Sequence, residues 1–163
     1  MDIKEQLVKK YKQMALDKLS AIGIDDCFVV KVKNLGRSDW VACYQSLSQF
    51  KNNNRGPIFW VSPDLLLDQQ EFVISILHEY GHVIAEYAYV NDCKNTYGAA
   101  FASNKKTNVA KPIKQYWGKK YSNKYWDEEE FAEDFAQFVY GTTSKKKKAI
   151  LSVVKEYNKA FNE

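Results

Sequence analysis

The sequence predicts an α+β domain in which a small, mainly antiparallel sheet precedes a set of amphipathic helices. Three short segments rich in β-branched and aromatic residues lie between positions 27 and 61, and turn-forming residues separate them. Four longer segments, one before these strands and three after them, repeat apolar residues at helical spacing. With 163 residues the chain is most simply a single domain, 1–163, large enough to bury a core without disulfides.

The first elements are assigned from their periodicity and their ends. Residues 3–22 carry an apolar stripe among lysines and are followed by Gly23, which indicates an amphipathic helix with a glycine stop. The patterns of 27–33, 40–47 and 58–61 predict strands. This part of the chain therefore supplies the sheet on which the later helices can pack.

The later elements are mainly helical. Asp68 is placed to cap a helix whose apolar positions recur as far as Tyr87. Residues 91–126 lack a regular pattern and are rich in tyrosine, so we expect them to form a lid or one wall of a cleft. Residues 127–140 predict a helix with acids in its first turn, where the helix dipole favours them, and a last helix ends near residue 162.

The composition is that of an ordinary globular protein, with 45% hydrophobic and 27% charged residues. The net charge of +4 does not by itself predict nucleic-acid binding. The lysine run at 145–148 is better explained as a solvated patch than as a site for an acidic partner. Three widely spaced cysteines do not predict a disulfide framework and favour a reducing compartment.

No segment predicts contact with a membrane. The first residues open directly into a charged helical pattern, without the apolar stretch of a signal peptide. The apolar runs are far shorter than the roughly 18–20 residues that cross a bilayer. We therefore expect a cytoplasmic protein, with export by another route as the alternative.

A pair of histidines, His78 and His82, lies on the helix predicted after Asp68. Positions four apart share a helix face, so the two imidazoles point the same way and can bind one Zn²⁺ ion at about 2.0–2.1 Å. Glu79 lies one step round the helix, where it can take a proton from a metal-bound water. This is the H-E-x-x-H pattern of zinc peptidases.

The alternative is that two histidines pack on a helix by chance, one buried and one exposed.

The glycine inside the motif indicates what lies next to this helix. Gly81 costs roughly 1 kcal/mol in a helix interior compared with alanine. A bulky group pressed close to the helix at that position, such as a metal, a substrate or another backbone, would explain the glycine, and so would the crowding of two helices alone.

A catalytic zinc site needs a third protein ligand, and the chain has no further histidine. The acidic helix at 127–140 is the obvious source, because Glu129 and Glu133 are four apart and share a face. We predict Glu129 as the metal ligand and Glu133 as an acceptor for an imidazole N–H. The rival ligands are Glu128, Glu130 and Cys93. Alternatively, the acids only solvate the start of a helix.

Residues 78–82, His-Glu-Tyr-Gly-His, and 129–136, Glu-Glu-Phe-Ala-Glu-Asp-Phe-Ala, resemble the catalytic domain of anthrax-toxin lethal factor and its relatives, including the Pro-Pro endopeptidases. That group has H-E-x-G-H on one helix and E-x-F-A-E-x-F on a later one. The resemblance covers about residues 58–140. The ImmA/IrrE-type peptidases, with E-x-x-A-x-x-F-A after the histidine motif, are the second choice because their intervening segment is usually shorter.

The resemblance implies a zincin-like fold and a gluzincin site. His78, His82 and Glu129 would be the zinc ligands. Glu79 would be the general base, and Glu133 would support an imidazole.

The resemblance also implies a tyrosine that steadies the oxyanion, seven residues before the third ligand. Seven positions before Glu129 stands Ser122, so Tyr121 is the candidate, with Tyr125 behind it. Tyr121 would have the family spacing if Glu128 were the ligand.

The expected activity is zinc-dependent hydrolysis of a peptide or protein substrate. Small zinc peptidases commonly hold an extended substrate at a sheet edge, for which 40–47 and 58–61 are the candidates. Two other functions stay open at this level. One is a zincin-like protein that binds or regulates without cutting, and the other is a module that binds nucleic acid through lysines and tyrosines.

Overall fold

The computed structural model describes residues 2–34, 42–44, 57–93 and 128–162, with side chains described for 2–34, 57–84, 131–155 and 157–158. Within these ranges the protein is α+β and mostly helical, as predicted. In chain order the elements are helix α1 (Ile3–Ser20), strands β1 (Val29–Val32), β2 (Ala42–Tyr44) and β3 (Ile58–Val61), a short 3₁₀ helix (Pro63–Leu67), and helices α2 (Gln69–Cys93), α3 (Glu128–Tyr140) and α4 (Lys147–Asn162).

The sheet is mixed, which corrects the prediction of a mainly antiparallel sheet. The strand order is β1-β3-β2, with β3 in the middle. β1 and β3 are parallel, from Val29 beside Ile58 to Val32 beside Val61, whereas β2 and β3 are antiparallel. Apolar periodicity identifies strands but carries no information on their order, and the long connection from β1 to β3 is sufficient for a parallel pair.

The strand order also decides between the two segments proposed to hold an extended substrate. β3 is hydrogen-bonded on both sides, so 58–61 cannot accept a further strand. β2 is paired to β3 on one side and, like β1, is an outer strand of the sheet in the part of the chain that the structure describes. It also contacts α2. Of the two candidates, only the segment containing β2 is compatible with that role.

Helix α2 begins where the sequence predicts. Asp68 caps it, with its side-chain oxygen accepting from the backbone N–H of Glu71 at 3.1 Å. The preceding 3₁₀ helix joins β3 to this cap, and Ser62 caps it in turn by accepting from the backbone N–H of Asp64. The start of α2 is thus fixed relative to the central strand, which sets the direction in which its later side chains point.

The core is organised around α2, which contacts α1, α3, α4 and the sheet. Near its start, the Phe72 ring packs on Tyr11 of α1 with centroids 5.1 Å apart. Farther along, Tyr80 contacts Phe28 at 6.0 Å and Phe59 of β3 at 6.2 Å. All five rings are buried. These aromatic contacts bury one side of α2 against α1 and the sheet.

A polar cluster lies within this aromatic core. The hydroxyl groups of Tyr80 and Tyr157 both donate to the same carboxylate oxygen of Asp26, the second at 2.5 Å. The two phenol oxygens are 3.1 Å apart. Burial raises the pKa of Tyr80 well above 10.0, and the nearby Tyr157 and Asp26 raise it further. A neutral phenol therefore joins α2 to α4 and to the segment before β1.

α2 extends to Cys93, past the start of the segment predicted to be irregular. The rest of that segment, residues 94–126, lies outside the described residues. Among the helices that are described, none is both long and apolar enough to cross a bilayer.

The raised pKa of Tyr80 predicts a loss of stability at alkaline pH. The unfolded chain releases this phenol proton near pH 10.0 and the folded chain only at higher pH. The stabilisation of the folded state that comes from this phenol is therefore fully present below about pH 10, and it is lost as the pH rises towards the pKa of Tyr80 in the folded chain. Urea unfolding at several pH values should show the free energy of unfolding falling above about pH 10, and falling less steeply in Tyr80→Phe.

Tyr11→Phe is the control, because it removes another buried phenol without touching Asp26. If the wild type and Tyr80→Phe lose stability in parallel above about pH 10, the explanation fails.

Candidate metal centre

Helix α2 brings together three side chains that could hold a metal ion: His78, Glu79 and His82. One ligand atom from each lies within 4.8 Å of the others. Glu79 and His82 are each 8% exposed, and the His78 side chain is 20% exposed. The group is therefore recessed yet open to solvent on the His78 side.

The two imidazoles are arranged as a metal-binding pair. Their Nε2 atoms are 3.3 Å apart, and the rings are inclined at 71° with centroids 5.0 Å apart. Two nitrogens bound tetrahedrally to one Zn²⁺ at about 2.0–2.1 Å would be about 3.3 Å from each other. The observed separation matches this value, so the pair could bind one Zn²⁺ ion.

The orientation of His78 is set from a different helix. Its Nδ1 lies 3.1 Å from Oε2 of Glu133 on α3. An ionised carboxylate only accepts hydrogen bonds, so Nδ1 must carry the proton in this contact. In the neutral imidazole the lone pair then lies on Nε2, which is the atom that faces His82. Carboxylate support of this kind is the usual arrangement behind a metal-ligating histidine.

The contact between helices depends on Gly81. A Cβ atom at this position would lie 2.8 Å from the Ala132 Cα and 3.2 Å from the Phe135 ring. Real Cβ atoms essentially never lie 2.8 Å from a backbone atom, and 3.2 Å is tighter than most, so glycine lets the α3 backbone lie here without a shift. Of the neighbours that the sequence left open for Gly81, the structure shows another backbone.

The remaining predicted residues fall outside what the structure describes in detail. Glu128, Glu129 and Glu130 form the start of α3, but their side chains are not among those described. The same holds for Cys93, the last residue of α2, and Tyr121 and Tyr125 lie outside the described residues altogether. The group seen together is thus the histidine pair, Glu79 and Glu133.

The sequence analysis did not identify two residues that contact this group or its helix, Gln137 and Asp26. Gln137 donates to the second carboxylate oxygen of Glu133 at 2.9 Å. Its i, i+4 spacing from Glu133 on a helix was a usable signal. Asp26 beside Tyr80 gave no such signal, because the two are distant in sequence and meet only through the fold.

No protein-family model matches the chain, and no curated protein or solved structure is significantly similar to it. The described site is therefore characterised by its own residues. It is a His-Glu-His cluster on a helix, consistent with an H-E-x-x-H type of motif.

The packing at Gly81 predicts that Gly81→Ala destabilises the protein. Alanine gains roughly 1 kcal/mol in helix propensity. Its methyl group must nevertheless push against the Ala132 backbone, and overpacking typically costs about 1–3 kcal/mol. We expect the methyl clash to prevail, with a net loss on the order of 1 kcal/mol in urea unfolding.

Gly23→Ala is the comparison for this experiment. Gly23 has φ +89°, and an added Cβ would meet only the Asn158 side-chain nitrogen at 3.6 Å, an ordinary contact, so its substitution costs mainly backbone strain. The His78–Glu133 contact should persist in Gly23→Ala and weaken in Gly81→Ala. A Gly81→Ala protein as stable as the wild type would show that α3 is not held at this distance.

Proposed function

We propose that this protein is a zinc-dependent endopeptidase, with the two imidazoles of α2 and a carboxylate of α3 as metal ligands. The observation that carries the proposal is the convergence at His78. Its Nε2 lies 3.3 Å from that of His82, while Glu133 of a separate helix contacts its Nδ1. Chance packing of two histidines gives no reason for a carboxylate behind one of them.

Glu129 is the third ligand in this proposal. Glu133 faces His78, and Glu129 lies four residues earlier on the same face of α3, about 6 Å along the helix axis. Glu133 is occupied with the outer nitrogen of the imidazole, so the ligand position falls to its neighbour on that face. The likeness of 78–82 and 129–136 to the lethal-factor-like peptidases supports the same assignment.

Zinc, when bound, supplies a Lewis acid that polarises a peptide carbonyl and lowers the pKa of a bound water to about 7. Glu79 acts as the general base: its carboxylate takes the proton of the attacking water and passes it to the leaving amine. Its 8% exposure keeps bulk water away from that proton. His78 and His82 contribute binding and orientation, since both are held on the same helix as the base.

Two further roles belong to the proposal. A phenol from Tyr121, or from Tyr125, donates to the oxyanion that forms as the carbonyl is attacked. An extended peptide lies along β2, where main-chain hydrogen bonds can hold it beside α2. The partner implied is therefore a peptide or a protein segment able to adopt an extended conformation.

The metal ligands can be tested by metal content. The wild type, purified and dialysed against zinc, should bind about one Zn²⁺ per chain, and His82→Ala and Glu129→Ala should bind less by a factor of ten or more. Glu128→Ala and Glu130→Ala are matched controls from the same turn of α3 and should bind like the wild type. If one of these two controls loses zinc while Glu129→Ala retains it, the third ligand is the residue replaced in that control.

The catalytic role can be tested with a mixture of unfolded proteins and peptides as substrate. Glu79→Gln should keep zinc but lose hydrolysis by about 10²–10⁴-fold, because the amide cannot take the proton. His82→Ala should lose both, and a chelator should abolish wild-type activity. Full activity in Glu79→Gln would refute the base assignment. Zinc binding without any turnover would identify a protein that binds metal but does not cut.

A further inference from the structure

A chain of hydrogen bonds leads from the candidate metal centre to the turn after α3. It starts at His78 Nδ1 and the Glu133 carboxylate, 3.1 Å apart. It continues from Glu133 Oε1 to Gln137 Nε2 at 2.9 Å, and from Gln137 Oε1 to the Thr142 hydroxyl at 2.5 Å. Nothing in the proposed function assigns a role to Gln137 or Thr142.

The direction of each bond in this chain follows from the chemistry of its groups. An ionised carboxylate can only accept, so Glu133 accepts a hydrogen bond from His78 and another from Gln137. The amide nitrogen of Gln137 must therefore face Glu133, which turns its oxygen towards Thr142. The hydroxyl of Thr142 then donates, and it also lies 2.9 Å from the backbone oxygen of Gln137. Each donor meets an acceptor from one end to the other.

The outer end of the chain is fixed to the protein. Gly141 adopts φ +106°, and the backbone N–H groups of Gly141 and Thr142 both donate to the backbone oxygen of Gln137. This is the left-handed turn that commonly ends a helix. Beyond it, Lys146 forms a 2.8 Å ion pair with Asp134 of α3. The Thr142 hydroxyl is thereby held at a fixed place above Gln137.

The exposure of Glu133 explains why such an anchor matters. Its side chain is 54% exposed, so water competes for both of its oxygens. A carboxylate in that position can turn away from His78 unless its other oxygen is held. Gln137 holds that oxygen, and Thr142 holds Gln137.

We propose that Gln137 and Thr142 are positioning residues, which keep the His78 imidazole in its Nδ1–H tautomer with the Nε2 lone pair directed at His82. The consequence for zinc affinity rests on the proposed function, whereas the tautomer itself does not. The proposal therefore assigns a role in the site to the carboxyl end of α3 and the turn that follows it, away from the ligands themselves.

The tautomer can be measured in the metal-free protein. The chain has only two histidines, so ¹⁵N NMR of the imidazoles gives few signals, and His82→Asn assigns them. At about pH 8 an ordinary imidazole is neutral, and its two nitrogens then report which one carries the proton. We expect His78 to be mainly in the Nδ1–H form in the wild type.

Four variants test the chain of hydrogen bonds. Gln137→Met keeps the length of the side chain but not its bonds and should lower the ratio of Nδ1–H to Nε2–H at His78 by roughly two- to tenfold. Thr142→Val should lower it in the same direction by less, and Thr142→Ser should restore the wild-type ratio because it keeps the hydroxyl. Glu133→Ala should have the largest effect.

Gln13→Met is the matched control. Gln13 donates to Asp17 at 2.8 Å with the same i, i+4 spacing on α1, so its substitution removes an equivalent helix-surface bond far along the chain from His78. It should leave the tautomer unchanged. The free energies of unfolding of Gln13→Met and Gln137→Met should be similar, which separates positioning from general stability.

Zinc affinity, measured by competition with a chelator, separates this proposal from the proposed function. Gln137→Met should bind zinc roughly two- to tenfold more weakly than Gln13→Met, and Glu133→Ala roughly ten- to a hundredfold more weakly than the wild type. If the wild type binds no zinc but the variants still show the expected tautomer shifts, the proposed peptidase function fails and the positioning role stands. Zinc binding and tautomer ratios that are unchanged in Gln137→Met and Thr142→Val would overturn the positioning role alone.

Discussion

The close approach of two helix backbones at Gly81 is the constraint on which the site depends. Because a side chain there would meet the Ala132 backbone at 2.8 Å, the two helices meet only with glycine in this position. That approach brings Glu133 within 3.1 Å of His78. The glycine is unfavourable for the helix itself by roughly 1 kcal/mol, and the buried apolar contacts of Phe131 and Phe135 on α3 offset this cost.

A second side of α2, about 100° round the helix from Gly81, is also held in place. Tyr80 is completely buried between the sheet and α4, and its hydroxyl satisfies the carboxylate of Asp26 together with Tyr157. Asp26 is partly buried, and its two donors offset the cost of taking its carboxylate out of water. α2 is therefore fixed in rotation by a polar contact on one side and a helix contact on the other. Rotation matters because it decides where both imidazoles point.

Much of this arrangement could be predicted from local patterns. The ends of β3, the cap at Asp68 and the helical setting of the histidines all follow from residues close in sequence. Strand order could not be predicted, because pairing is decided by long connections and not by the strand's own pattern. The same limit applies to Asp26, which reaches Tyr80 only in the folded chain. The arrangement of side chains along one helix could be predicted, whereas most contacts between elements distant in sequence could not.

The five residues 78–82 have two separate roles. His78, Glu79 and His82 form the group that could hold a metal ion, whereas Tyr80 and Gly81 serve the core and the helix crossing. Replacing one of the first three removes a side chain that could hold the metal ion. Replacing either of the middle two damages the fold. A chain that has lost the metal-binding group would therefore still need the tyrosine and the glycine, because the packing of α2 against the sheet, α4 and α3 depends on them.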